Sequence, residues 1–243
     1  MCLLRNQSAR LLFRLSSNVL TYDSVAKIIQ EEDEEDTTGI SQAEVDYVKT
    51  LRFVSSMFRQ QRLGLDKPDL PILGLLNYVD DESVVVNSNI FEGSPVRQIL
   101  DELCIKVNTA IAQKVFAILG DRALLRRHSD PILQKIESFI ESVKNLNLDM
   151  DTTSSATIQK SILNIDDDVV RKGLEALLYK CMTRARYFVA GRVEPDNHSH
   201  YFLNVPLYTH FASPLRRYAD LVVHRQLKAA ISGADYTTEI ADL

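Results

Sequence analysis

The chain has 243 residues, enough for one large domain or two small ones with a substantial core. Hydrophobic residues make up 45% and charged residues 25%, which excludes a disordered or low-complexity chain. The formal net charge of −5 counts against a uniformly basic nucleic-acid binder, although a total hides local clusters. Eight glycines, seven prolines and no strong run of strand-forming residues predict that helix dominates. Cys2, Cys104 and Cys181 are odd in number and widely spaced, so neither a disulfide framework nor a zinc site is indicated. Cys104 and Cys181 fall within helical apolar patterns and are expected to be buried and reduced. There is no run of 18 apolar residues, and no membrane span is expected.

Residues 1–22 carry Arg5, Arg10, Arg14, several serines and no acid. They read either as a mitochondrial presequence or as the first strand of a domain within which the chain begins. Thr21-Tyr22-Asp23 precedes a short helix over about 24–30. The acidic run Glu31–Asp36 reads as a solvated loop, because nothing spaces its carboxylates around an ion. Ser41-x-x-Glu44 is a capping-box signature, and Val45, Val48, Leu51, Val54 and Phe58 follow at helical spacing up to a stop at Gly64. Residues 65–90 look strand-like, most clearly Ser83–Asn87 after the turn at Asp80-Asp81-Glu82. Ser94-Pro95 is an N-cap followed by Pro at N1, and predicts a long central helix through Ile99, Leu103, Val107, Ile111 and Val115 to Gly120. Asp130-Pro131 opens another, with Ile132, Ile136, Phe139, Ile140 and Val143 on one face. Residues 145–156 are polar and read as a loop. Asp166-Asp167-Asp168 precedes a helix over about 169–187, and the carboxylates are better read as helix caps than as a cation site.

The most informative stretch is Tyr208 to Asp220. Ser213-Pro214 again reads as N-cap and N1, predicting a helix that buries Leu215, Ala219, Val222, Val223 and Leu227. Arg216 and Arg217 then fall in its first turn, where the helix dipole disfavours cations. Either an anion sits on the helix end, gripped by forked guanidiniums and free N–H groups, or the arginines pair with internal acids such as Asp220. His210 and His224 flank the stretch and read as structural or as site residues. Tyr208 and Tyr218 either stack on bases or belong to the core.

Tyr208–Arg225, YTHFASPLRRYADLVVHR, resembles the signature of the RNB family of ribonucleases II and R, Y-T-H-F-T-S-P-I-R-R-Y-x-D-x-x-V-H-R. The resemblance extends through Cys181-Met182-Thr183, Ala185, Tyr187-Phe188 and His200–Asn204. Further back it takes in Ile99–Asn108, where Asp101 and Lys106 depart from the family wording, then Ala123–His128 and Leu20–Asp23. It implies an α+β, mainly helical, incomplete RNB domain. Residues 20–231 would be its C-terminal half, with 1–19 unassigned and 232–243 beginning a following segment. Family members are metal-dependent exoribonucleases that thread single-stranded RNA by its 3′ end. Their Mg²⁺ is held by clustered aspartates in the first half of the domain, a motif with no counterpart in this chain. The resemblance therefore implies no metal ligand here.

By the same resemblance Arg216 contacts the scissile phosphate, and Tyr208, His210, Ser213, Arg216, Arg217 and Tyr218 line the RNA. The missing half-domain and an S1-type barrel are expected in a full-length protein, in the cytoplasm or alternatively in mitochondria or the nucleus. The drifted central helix and His224–Ala229 resemble the fungal branch, which includes pseudonucleases that bind mRNA and repress translation. Three readings stay open: part of an active exoribonuclease, part of a catalytically dead RNA-binding protein, or a truncated product without function.

Overall fold

A computed structural model describes residues 20–30, 40–68, 70–75 and 95–233. The acidic run, the strand expected at Ser83–Asn87, Ser94 and residues 1–19 lie outside these. Seven helices and a two-stranded sheet make up the described residues: α1 (Tyr22–Gln30), α2 (Gln42–Leu63), α3 (Pro95–Leu119), β1 (Leu124–Arg127), α4 (Leu133–Asn145), α5 (Ser155–Leu163), α6 (Asp168–Cys181), β2 (Arg186–Val189) and α7 (Tyr218–Ser232). The class is α+β and mainly helical, as the sequence predicts.

Local chemistry sets most of the boundaries. Ser41 and Glu44 form the capping box of α2, and Gly64 ends that helix with φ 62°, a left-handed conformation open to glycine without strain. The Asp167 carboxylate accepts from the amides of Val169 and Val170 at 2.8 and 3.2 Å, so the aspartate run is a cap.

Several expectations are corrected. α5 was not foreseen; it starts inside the stretch read as loop, on a capping box made by Ser154 and Thr157 rather than by an acid. α6 stops at Cys181, because residues 186–189 leave the helix to pair with β1 in antiparallel register, Leu124 opposite Val189. Val107 and Ile132 are exposed. Cys104 is only half-buried, whereas Cys181 is buried and both are free thiols.

Three apolar clusters form the interior. One joins α4, α5 and α6 to Phe202, Leu203 and Tyr208. The second joins the C-terminal half of α3 to β1 and α7, and the third joins α1, α2 and the start of α3. By length and mean hydropathy (1.4) the helix running from Pro95 to Arg122 could cross a membrane, yet α1, α2 and α7 pack against it here. Its buried Glu102 takes the Arg62 guanidinium of α2, which also donates to the Leu203 carbonyl at 2.8 Å. Arg59, one turn earlier, is buried and donates to the carbonyls of Leu70 and Pro71. Burial lowers its pKa to about 10 while nearby Glu102 pulls it back up. Gly191 sits so close to Asp121 that an added Cβ would lie 2.7 Å from the aspartate Cβ, which holds the turn after β2 against the turn before β1.

Candidate nucleic-acid interface

The stretch from Tyr208 to Asp220 runs alongside β1 before entering α7. The Arg126 amide donates to the Tyr208 carbonyl at 2.8 Å, and the Thr209 hydroxyl donates to the Leu124 carbonyl at 2.9 Å. Gln226 of α7, fully buried, accepts from the Leu124 amide and donates to the Arg122 carbonyl. These bonds fix the path of the chain to the site.

The helix expected directly after Ser213-Pro214 does not form there. Residues 214–216 make a turn in which the Ser213 carbonyl accepts from the amides of Arg216 and Arg217, both at 3.2 Å. α7 begins at Tyr218 with Arg217 in extended conformation at its N-cap. Asp220 is the reason. Its carboxylate is completely buried. It accepts from the Ser213 amide at 2.7 Å and from Arg217 Nε at 2.8 Å. A buried carboxylate needs such partners. Satisfying it folds the intervening residues into a tight loop rather than a helical turn. Arg216 therefore lies ahead of the helix, and Arg217 at the N-cap is compensated by Asp220, which occupies the first turn, where the dipole favours an acid.

The two arginines part ways on this turn. Arg217 is half-buried and paired; burial works against its charge, and the hydrogen bond and proximity of Asp220 outweigh that and raise its pKa. Arg216 is exposed at the surface of the turn. Leu215, expected in the core, protrudes fully exposed, and Tyr218 is 58% exposed. Cys104 of α3 lies in the field of both guanidiniums; burial and Asp101 push its thiol up, while Arg217 and Arg216 pull it down. The exposed face of the turn thus gathers a cation, an aliphatic side chain and a phenol ring, suited to a phosphate and a stacked or apolar body.

The remaining expected site residues face inward. Tyr208 is 3% exposed, and its hydroxyl accepts from Asn108 Nδ2 at 3.0 Å. His210 is buried, with Nδ1 2.6 Å from the Tyr187 hydroxyl. His224 stacks on Phe211 at 4.0 Å and meets the Phe211 carbonyl with Nε2 at 2.9 Å. Rings follow one another from His128 to His200, Tyr208, His210 and Tyr187 at centroid spacings of 5.4, 5.2, 5.5 and 5.6 Å. The Arg126 guanidinium covers Tyr187 at 4.7 Å. Of the six expected residues, the structure brings Ser213, Arg216, Arg217 and Tyr218 together on the turn and places Tyr208 and His210 beneath it as support.

Asn108 was quoted only as part of a resemblance, yet it shapes the site. From α3 its Oδ1 accepts from the amides of Phe211 and Ala212 at 3.0 and 3.1 Å, while its Nδ2 holds Tyr208. A neutral polar residue in register with the apolar positions Ile111, Ala112 and Val115 of α3 is the signal that points to it.

Magnesium does not fit this turn. Asp220 is the only acid between Tyr208 and Arg225, and both its oxygens are engaged by Ser213 and Arg217. Among the described residues no group of three or more His, Cys, Asp or Glu is placed to hold a metal ion.

The fold is a mainly helical α+β body that presents an arginine turn braced from a long central helix. The model of the RNB domain matches residues 15–233, and the chain belongs to that family. Virulence protein SSD1 of Candida albicans is 49% identical over 215 residues, which is 88% of this chain and 17% of that protein. Protein SSD1 of Saccharomyces cerevisiae is 43% identical over 93% of this chain and 17% of its own length. The solved structure of yeast Ssd1, described as a pseudonuclease, matches with a TM-score of 0.82 at 40% identity, over 93% of this chain and 27% of that one. RNase R of Mycoplasma genitalium, solved with ribose-methylated single-stranded RNA, covers 86% of this chain and 32% of that one, and shares the fold with a TM-score of 0.62 at 23% identity. The chain thus spans about a sixth of the SSD1 proteins it matches.

Proposed function

We propose that this chain is the phosphate-contacting part of a larger RNB protein that binds single-stranded RNA and holds it without cleaving it. The observation that carries the RNA contact is the exposed face of the signature turn, which bears Arg216, Leu215 and Tyr218. There a surface guanidinium lies beside a phenol ring and an aliphatic side chain, a combination suited to a phosphate and a stacked base. Likeness to yeast Ssd1, described as a pseudonuclease, supports holding without cleaving; the reading we propose extends to mRNA withheld from translation in the cytoplasm. The alternative, a working exoribonuclease, draws on relatives such as the DIS3-like exonuclease 2 of Xenopus tropicalis, 33% identical over 76% of this chain and 23% of that protein.

The test is incubation of the full-length protein that contains this chain with uniformly labelled oligouridylate and Mg²⁺ or Mn²⁺. Retarded, full-length RNA is expected. Release of mononucleotides above a mock preparation would establish the nuclease instead, and RNA that is neither bound nor cut would reject both.

A further inference from the structure

A second site lies away from the signature turn, in a groove of about 750 Å³ between α4 and the end of α6 with the chain that follows it. Its chemistry is one-sided. Lys135, Lys180 and Arg184 line it and no carboxylate does, in a chain with 33 acidic against 28 basic residues. Three other cavities among the described residues each contain an acid: Glu102 in two of them, and Asp168 with Glu175 in the third. Neither Lys135 nor Lys180 is ion-paired among the described residues.

The shape has a cause in the sequence. Gln134, Ser138 and Ser142 recur every four residues along α4. The hydroxyls of Ser138 and Ser142 donate to the carbonyls of Gln134 and Ser138, at 3.0 and 2.8 Å, and so lie flat on the helix. The notch they leave faces Leu177, which is 38% exposed, and Met182. At its edge the Thr183 hydroxyl is a buried polar atom without a hydrogen-bond partner, a group that a bound main-chain amide or carbonyl would satisfy.

We propose that this groove docks an acidic peptide segment with an aliphatic anchor. The anchor enters the notch against Leu177 and Met182, and carboxylates on either side meet Lys135, Lys180 and Arg184. Single-stranded RNA needs open ring faces on which bases stack. The two rings here do not offer them, since Phe139 is buried in the core and Tyr179 packs against it. Aliphatic floor, cationic rim and a cleft between helices instead match the recognition of a short amphipathic peptide.

Panning a phage-displayed library of random dodecapeptides on the full chain tests this. Sequences that pair Asp or Glu with Leu, Ile or Met are expected. By fluorescence anisotropy the selected peptide should bind about tenfold more weakly to the doubly reversed Lys135→Glu, Lys180→Glu protein, a loss of one hydrogen-bonded charge contact or more. A lysine-for-acid version of the peptide should bind that variant better than it binds wild type. Ser138→Phe, which fills the notch at an exposed position and leaves every cation in place, should also abolish binding, while Arg216→Ala should leave it unchanged. Selection of peptides without acids, or binding indifferent to both groove variants at equal melting temperature, would overturn the proposal. So would displacement of the peptide by oligouridylate from the wild type and from Arg216→Ala alike, which would make the groove an RNA contact.

Discussion

Arg217 and Arg216 are neighbours in sequence, and their removal should have opposite consequences. Arg217→Ala strands the Asp220 carboxylate, whose side chain is 0% exposed and keeps only the Ser213 amide. Breaking a buried pair from one side costs about 3–5 kcal/mol. With one hydrogen bond retained and Arg217 itself partly open to solvent, the low end applies, about 3 kcal/mol. At a urea dependence of about 2 kcal/mol per molar, the unfolding midpoint should fall by about 1.5 M. Arg216→Ala removes an exposed side chain and should move stability by less than about 0.5 kcal/mol. Instead it should weaken RNA binding for all sequences alike and lower the slope of log affinity against log salt by about one unit. Arg216→Lys should recover only part, because an ammonium cannot fork onto two phosphate oxygens. Paired urea titrations and salt-dependent anisotropy on both variants read the two effects separately. An Arg217→Ala protein as stable as wild type would refute the buried-pair reasoning. An Arg216→Ala protein with unchanged affinity and salt slope would refute the phosphate contact.

Asn108→Ala should cost about 3 kcal/mol, since it leaves the Phe211 and Ala212 amides and the Tyr208 hydroxyl without their partner; a urea midpoint equal to wild type would show that the loop holds itself. The Tyr201 hydroxyl is pushed up to about 12 by burial, with Asp130 and Cys181 adding to the effect. Its unfolded value is about 10. The unfolded chain therefore ionises first, so the stabilisation from Tyr201 is whole below about pH 10 and drains away as pH rises toward 12. Tyr201→Phe should flatten the decline of the urea midpoint over that window, and identical alkaline profiles would count against it.

What could be read from the sequence was what neighbouring residues decide among themselves. Ser41 with Glu44, Gly64 and Asp167 each set a helix end within a few positions, and each behaves as its residue type dictates. The start of α7 misled because Ser213-Pro214 is locally a sound N-cap, and the buried charge of Asp220 overrules it. β2 was taken for the tail of a helix because its partner lies some sixty residues earlier, at Leu124–Arg127. α5 is only nine residues long, and its capping box carries Thr157 where an acid is usual, too short and weak a pattern to stand out. The site follows the same division: the arginine turn is visible as a motif, whereas the separation of Arg216 from Arg217 depends on the burial of Asp220, and the hold of Asn108 on the loop depends on contacts about a hundred residues away.

That hold has a consequence for how the protein is made. Asn108 leaves the ribosome about a hundred residues before Tyr208, Phe211 and Ala212, the groups it will bind. Until they emerge, α3 is synthesised with an inward-facing amide that has nothing to grip, along with the apolar surface that α7 later covers. Contacts of such long sequence separation close late and slowly. The signature turn and α7 therefore take shape only once the rest of the described chain has been made, and a nascent chain stalled before them would carry the brace without the grip.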